Sequence, residues 1–159
     1  MSTTRRQLGF LAAATAVAAR AHDDEHEPPI ARTAMIHGTA NPLAVAGYRM
    51  GELALGRLGL ERCSADLEVT HYCPASAQWS CIVDGLQAST GASLGKMNLR
   101  RVDAGEVYSL VKNKKTGQQL RFELTASFMK ANSNLPASKI YPAGLEASTM
   151  KEAEVFRVR

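Results

Sequence analysis

The sequence predicts a single α+β domain in which helices pack against a mostly antiparallel sheet. Apolar residues recur at helical spacing between positions 42 and 58, which indicates an amphipathic helix. Shorter segments with alternating apolar and polar residues begin near position 66 and dominate after position 96, and this alternation is typical of strands. Because helices and most strands fall in separate runs, the pattern favours an α+β fold.

The first 21 residues predict an export signal that precedes the folded domain. Arg5 and Arg6 come before a short apolar stretch, and residues 19–21 have the small-residue pattern of a cleavage site. Paired arginines here are typical of a twin-arginine signal, and a disordered tail rich in arginine and alanine is the alternative. The apolar stretch, residues 8–19, is shorter than the ~20 residues that span a bilayer. We therefore expect a periplasmic or secreted protein with no stable membrane anchor.

Loss of this signal changes the apparent charge of the protein. The whole chain has a net charge of +4 and a sequence pI of about 9.1. Three of the 19 basic residues and none of the 15 acidic residues lie in residues 1–21, which leaves 16 against 15, a net charge of +1, on the other 138 residues. That length suits one domain with a hydrophobic core. A nearly neutral chain gives no electrostatic basis for nucleic-acid binding, and we expect none.

Residues 22–30 predict a flexible lead-in to the domain, because they are acidic, polar and end in prolines. His22 and His26 have acidic residues between them, so weak metal binding is the alternative to a solvated tail. We place the folded domain at residues 31–157.

Helix and strand boundaries follow from glycine, proline and capping residues. Pro42 suits a first helical turn and Gly59 a helix end, while Ser80 and Gly91 are the predicted cap and end of a second helix. Glycine-containing turns separate the later strands. The predicted order is helix 42–59, strand 66–72, helix 81–89, strand 96–102, strand 106–111, strand 118–126 and helix 144–155.

The chain contains three cysteines, Cys63, Cys73 and Cys81. Disulfides persist in the oxidising compartments that exported proteins reach. An odd number leaves at least one cysteine of a monomer outside a disulfide. Cys73 and Cys81 are near enough in sequence to pair, but disulfide formation depends on three-dimensional geometry.

Polar residues and glycines recur in two segments, residues 36–50 and residues 80–99. Binding groups are common in loops that rigid elements hold in place. The order, spacing and residue types of both segments resemble those of the FmdE-like proteins, a family named after formylmethanofuran dehydrogenase, over roughly residues 31–157. The matching residues are His37, Gly38, Pro42, Gly47, Tyr48, Arg49, Cys81, Asp84, Gln87, Thr90, Gly91, Gly95, Lys96, Asn98 and Leu99.

The resemblance implies a metal site with His37 and Cys81 as ligands, and zinc is the expected divalent transition metal. Relatives have further histidine or cysteine ligands where this chain has Thr39, Asn41 and Ala92. Two protein ligands are too few for a closed structural zinc site, which takes four. We therefore expect an open site that water, a neighbouring side chain or a small molecule completes.

Five residues are predicted to bind a small ligand: Asn41, Asp84, Gln87, Lys96 and Asn98. Cys81, Asp84 and Gln87 are spaced three apart on one predicted helix, so their side chains share a face. Asp84 and Gln87 have an alternative role in bonding the following glycine-rich loop. The alternative for Lys96 is an ordinary surface lysine.

Cys81 and His37 each have two interpretations. Close to a helix N-terminus, the helix dipole and unpaired N–H groups would favour the Cys81 thiolate, which suits a metal ligand or a nucleophile. A disulfide with Cys73, or a role as a small buried apolar residue, is the alternative. His37 is interpreted as a ligand or acid–base group, or as a structural histidine. His71, in a predicted strand, is interpreted as structural.

Together these residues predict an exported domain that binds a metal ion or a small polar ligand in a pocket lined by histidine, cysteine and aspartate. One alternative is a small enzyme in which Cys81 or His37 acts as nucleophile or base. Another is a non-catalytic interaction domain with a vestigial site. The resemblance also implies a homodimer, while the sequence assigns no catalytic residue.

Overall fold

The structure is a computed structural model that describes residues 29–159. This part of the chain forms six helices and five strands. They are α1 Pro29–His37, α2 Pro42–Leu58, β1 Leu67–Cys73, α3 Ala77–Thr90, β2 Leu99–Asp103, β3 Tyr108–Asn113, β4 Gln119–Leu124, α4 Ala126–Asn132, α5 Ala137–Thr149, α6 Glu152–Val155 and β5 Phe156–Val158. The predicted export signal and residues 22–28 of the predicted lead-in lie outside the described residues.

The strands of the described chain form one sheet in the order β2-β1-β3-β4-β5. β1 pairs with β2 in parallel, and the other three neighbouring pairs are antiparallel. α3 connects the parallel pair, because parallel strands need a long crossover. α2 and α3 both contact the sheet. The arrangement confirms the predicted single α+β domain with helices packed against a mostly antiparallel sheet.

The ends of α2 are determined by local sequence, as predicted. The Asn41 side chain caps the helix by accepting a hydrogen bond from the backbone N–H of Leu43 at 2.9 Å. Pro42 occupies the first turn, where no intrahelical bond needs its missing N–H. Gly59 ends the helix in the left-handed conformation, with φ +59°, which glycine adopts without a steric penalty.

The start of α3 differs from the prediction. Ser76, with extended backbone, is the N-cap residue and Ala77 is the first helical residue, whereas the sequence analysis placed the cap at Ser80. The backbone N–H of Ser80 donates to the Ser76 carbonyl at 3.1 Å, so Ser80 already lies inside the helix. The predicted helix end at Gly91 is confirmed by its left-handed φ of +68°.

Three further boundaries differ from the prediction. α1 begins at Pro29, so residues 29 and 30 are helical and do not belong to a flexible lead-in. α4 replaces the end of the predicted strand 118–126, because Thr125 caps it by accepting from the N–H of Phe128 at 3.2 Å. The predicted helix 144–155 is divided between α5 and α6, and β5 follows as an edge strand.

The core lies between the helices and one face of the sheet. Residues of β3 are alternately buried and partly exposed, as expected for a sheet that is covered on one side. The largest fully buried side chains include Phe122, Leu43, Met50, Leu67, Ile82, Leu86 and Leu99. Within residues 29–159 no helix combines the length and the hydrophobicity that crossing a membrane requires.

Glycines allow α2 and α3 to pack at backbone contact. A Cβ atom on Gly47 of α2 would overlap the carbonyl oxygen of Ile82, and a Cβ on Gly85 of α3 would overlap the carbonyl oxygen of Ala44. Both clashes are with backbone, so no side-chain rotation relieves them. The separation of the two helices therefore depends on these two glycines.

We predict that Gly85→Ala lowers the free energy of unfolding by about 3 kcal/mol, because the helices must move apart to admit the methyl group. Gly56→Ala is the matched control, since Gly56 lies in α2 and a Cβ there meets no atom within 4 Å. That control is expected to raise stability by roughly 0.5–1 kcal/mol through helix propensity. Urea unfolding of both variants tests the prediction, and equal effects would contradict it.

Candidate functional site

Four of the predicted site residues meet where α1 ends, α2 begins and α3 passes both. His37 is the last residue of α1, and Asn41 caps α2. Gly38 has a φ of +85°, a conformation that favours glycine and lets the chain turn between the helices. Cys81 and Asp84 lie one turn apart on α3 and face these residues across the junction.

His37 and Asp84 form the central pair of this site, which we call the dyad. His37 Nδ1 lies 2.7 Å from Asp84 Oδ2. The two side chains are 21% and 37% exposed, respectively, so the pair sits at the surface rim and remains accessible. When Nδ1–H donates to the carboxylate, the other ring nitrogen, Nε2, carries the lone pair. The dyad thus orients one imidazole nitrogen to accept a proton or to contact a ligand.

Cys81 is buried beside the dyad as a neutral thiol. Its side chain donates to the Gln78 carbonyl oxygen at 2.8 Å and lies 3.7 Å from Asn41 Oδ1. Burial, followed by the negative charge of Asp84, raises the pKa of the Cys81 thiol to about 12. The expected stabilisation of a thiolate by the helix N-terminus is wrong for the metal-free protein, because α3 begins at Ala77 and Cys81 lies beyond its first turn.

Asn41 has a structural duty that the sequence analysis did not assign to it. Its Oδ1 accepts the capping hydrogen bond from Leu43 and also faces the Cys81 thiol. On its other side Asn41 lines a cavity of about 180 Å³ between α2, α3 and the chain before α5. Gln78 lines the same cavity, and its Nε2 is buried with no hydrogen-bond partner among the described residues. The prediction missed Gln78, which lies three residues before Cys81 in the helix.

Gln87, Lys96 and Asn98 are not part of the dyad site. Gln87 and Lys96 line a separate cavity further along the groove between α1 and α3. Lys96 Nζ donates to the carbonyl of Gly91 at 2.8 Å. Asn98 is buried, and its Oδ1 accepts from the N–H of Ser93 at 3.0 Å. The structure therefore divides the seven predicted residues between the dyad, a neighbouring cavity and a loop-shaping hydrogen bond.

The side chains present do not make a closed metal site. Within residues 29–159 no group of three or more histidine, cysteine or acidic residues is arranged to hold a metal ion. Cys63, Cys73 and Cys81 are all free of disulfides. The donors suit at most an open site in which His37 is the ligand and Asp84 orients it, an arrangement common among metal-binding histidines.

Residues 36–158 match the profile of a protein family described as FmdE, Molybdenum formylmethanofuran dehydrogenase operon. The chain belongs to the FmdE family. Its sequence matches no curated protein. Among solved structures, the FmdE domain is similar to a tungsten formylmethanofuran dehydrogenase FmdE-like protein from Syntrophus aciditrophicus, with a TM-score of 0.57 and 19% identity over 82% of this chain and 68% of that chain. At this identity the likeness shows the fold alone.

His71 has the structural role that was predicted for it in the FmdE domain. It is fully buried on β1, with Nδ1 2.8 Å from Ser109 Oγ and Nε2 3.1 Å from the carbonyl oxygen of Trp79. Burial lowers its pKa to about 4, and the nearby Arg101 acts in the same direction. The ring is therefore neutral near pH 7 and ties two strands to the start of α3.

We predict that the FmdE domain contains one reactive thiol in its native state. Iodoacetamide should modify exposed Cys63 rapidly, and should modify Cys73 and Cys81 only after denaturation, because those two are 0% and 5% exposed. Peptide mass mapping over a time course measures each rate. Alkylation of Cys81 in the folded protein at the rate of Cys63 would show that its thiol is not buried.

We predict that His71 makes the FmdE domain less stable in acid. The unfolded chain binds a proton at this residue near pH 6.5 and the folded chain only near pH 4, so stability falls as the pH drops through this window and levels off below it. The loss attributable to His71 is on the order of 3 kcal/mol. Urea unfolding between pH 7 and pH 4 should give a flatter profile for His71→Gln than for the natural protein. Parallel profiles would contradict the assignment.

Proposed function

We propose that this FmdE domain binds a metal ion or a small polar ligand through Nε2 of His37, with Asp84 holding the imidazole in place. The observation that carries the proposal is the 2.7 Å contact between His37 Nδ1 and Asp84 Oδ2 at a partly exposed junction of three helices. A histidine with only a packing role has no need of a partner that directs its second nitrogen outward. This orientation is what ligand binding requires.

For the metal branch, zinc is the first candidate and the site is open. His37 supplies the nitrogen donor and Asp84 orients it, while solvent or a bound molecule completes the coordination. A metal ion held there would polarise whatever ligand shares its coordination sphere. Cys81 contributes to such a site only if the metal displaces its proton, since burial favours the thiol.

An enzymatic role is the second candidate, and the dyad favours His37 over Cys81 as its active group. A histidine hydrogen-bonded to a carboxylate is the arrangement of many general bases. Cys81 is a poor nucleophile in this structure, because its thiol is buried and has a pKa raised to about 12. A non-catalytic interaction domain is the remaining alternative.

We further propose that the domain acts outside the cytoplasm, after twin-arginine export, as a periplasmic or secreted protein. The support is the Arg5–Arg6 pair and the cleavage pattern at residues 19–21. An exported single domain is a poor candidate for a component of a cytoplasmic dehydrogenase complex. Homodimerisation is part of the proposal because it is implied by the family resemblance.

Zinc titration by calorimetry tests the metal branch. The background protein carries His22→Gln and His26→Gln, so that the lead-in contributes no imidazole. In this background we expect stoichiometric zinc binding that His37→Gln abolishes and that Asp84→Asn weakens by roughly 10- to 100-fold. Cobalt serves as a second probe, since a thiolate-to-metal charge-transfer band that disappears in Cys81→Ser reports coordination by the cysteine. Zinc binding that is unchanged in His37→Gln would overturn this branch.

The polar-ligand branch is tested by NMR on protein freed of metal with a chelator. Small carboxylates, amides and amines are titrated while the ring resonances of His37 are followed. We expect saturable shifts for at least one of these compounds, and weaker binding in Asp84→Asn because its ring is no longer held. If zinc and all of these compounds leave His37 unaffected, the interaction-domain alternative replaces the proposal.

A further inference from the structure

A second cavity opens along the groove between α1 and α3, beyond the dyad. Its volume is about 290 Å³, which corresponds to about ten water molecules at ~30 Å³ each. Gln87, one turn after Asp84 on α3, and Ile36, next to His37 on α1, lie on its wall. None of its lining residues belongs to the dyad, so an inference about this cavity goes beyond the function proposed above.

Among the described residues, three cationic side chains and no acidic ones line this cavity. Arg32 comes from α1, Arg62 from the turn before β1, and Lys96 from the loop before β2. Burial raises the pKa of Tyr48 to about 12, and both arginines act in the opposite direction, so their positive field extends beyond their immediate contacts. Glu52 also acts on Tyr48, but its carboxylate does not line the cavity. The lining thus presents a positive potential to a molecule that enters.

Two of these cations also stabilise the end of α3. Lys96 Nζ donates to the carbonyl of Gly91 at 2.8 Å, and Arg62 Nε donates to that of Ala88 at 3.4 Å. Such contacts offset the negative end of a helix dipole, which carries only about half of one charge. An ammonium has three donors and a guanidinium five, so capping uses a fraction of the donors available. Helix capping alone also gives no reason for Arg32, which belongs to another helix.

The rest of the lining separates a polar end from an apolar wall. Ser93 and Gln87 add neutral hydrogen-bonding groups on the side of the cations. Met35, Ile36 and Ala92 supply apolar surface, and Met35 and Ile36 are 74% and 46% exposed. Ligand cavities commonly combine apolar walls with a few polar groups that fix orientation. This combination suits a molecule with an anionic group at one end and an apolar body at the other.

We propose that the groove cavity binds a small organic anion of about ten non-hydrogen atoms. Its carboxylate or phosphate contacts Arg32, Arg62 and Lys96, and its apolar part packs on Met35 and Ile36. Guanidinium groups match the planar geometry of carboxylates, and the absence of acids from the described lining removes a repulsive term. The site discriminates against neutral analogues of the same shape.

The exposed thiol of Cys63 lines the same cavity and therefore serves as a reporter. Benzoate is the anionic probe, benzamide is its neutral isostere, and inorganic phosphate is an anion without an apolar body. The rate at which iodoacetamide alkylates Cys63 is measured by mass spectrometry in chelator-treated full-length protein at rising probe concentration. We expect saturable protection by benzoate, with benzamide and phosphate each at least roughly tenfold weaker. Thermal unfolding of the same samples gives a second, thiol-independent estimate of affinity.

Charge-removing variants on two different elements complete the test. Arg32→Gln and Lys96→Gln are each expected to weaken benzoate binding by roughly five- to tenfold. Lys130→Gln is the matched control, because Lys130 is a lysine of α4 that does not line the cavity, and it should leave affinity within about twofold. Circular dichroism verifies that each variant is folded.

Three results would overturn the proposal. The first is no protection of Cys63 and no thermal shift at millimolar benzoate. The second is equal affinity for benzoate and benzamide, which would mean that the cations act only as helix caps. The third is equal affinity for benzoate and phosphate, which would mean that the apolar wall contributes nothing. None of these results bears on zinc binding at His37, so this test and that of the dyad fail independently.

Discussion

The backbone contact between α2 and α3 is the constraint on which the rest of the domain depends. Gly47 and Gly85 remove the side chains that would hold the helices apart. The start of α2 therefore lies close enough to α3 for Asn41 to reach Cys81 and for His37 to reach Asp84. A wider separation would leave the same residues in the sequence and no site in the structure. The glycines of the FmdE pattern thus act on function through distance.

The domain keeps its interior neutral and places its charges at the edges of the helical layer. Burial holds His71 without a proton and Cys81 with one near neutral pH, because a charge in either place would lose its hydration. The dyad lies on the partly exposed rim, and the cationic cavity lies beside it in the same groove. One groove between α1 and α3 therefore offers a nucleophilic imidazole and a positive surface within a few helical turns.

Local signals predicted the fold well, and the site only in part. The helix from Pro42 to Gly59 and the end of α3 at Gly91 follow from proline and glycine chemistry that acts over a few residues. α4 and β5 were missed because a short helix after a capping threonine and a three-residue edge strand produce almost no periodic pattern. Helical spacing placed Cys81 and Asp84 on one face, but the burial of the thiol depends on Gln78 and Asn41. Whether Lys96 faces the dyad depends on a loop path that no local rule determines.

The unequal exposure of the three cysteines affects how the association state of this protein should be interpreted. Cys63 is the exposed thiol, while Cys73 and Cys81 are buried. Oxidation in air can therefore join two folded chains through a single bond at position 63 and produce a covalent pair unrelated to any natural contact surface. Such a pair would also seal the groove cavity that Cys63 lines. Samples kept reduced retain both the native self-association and an open groove.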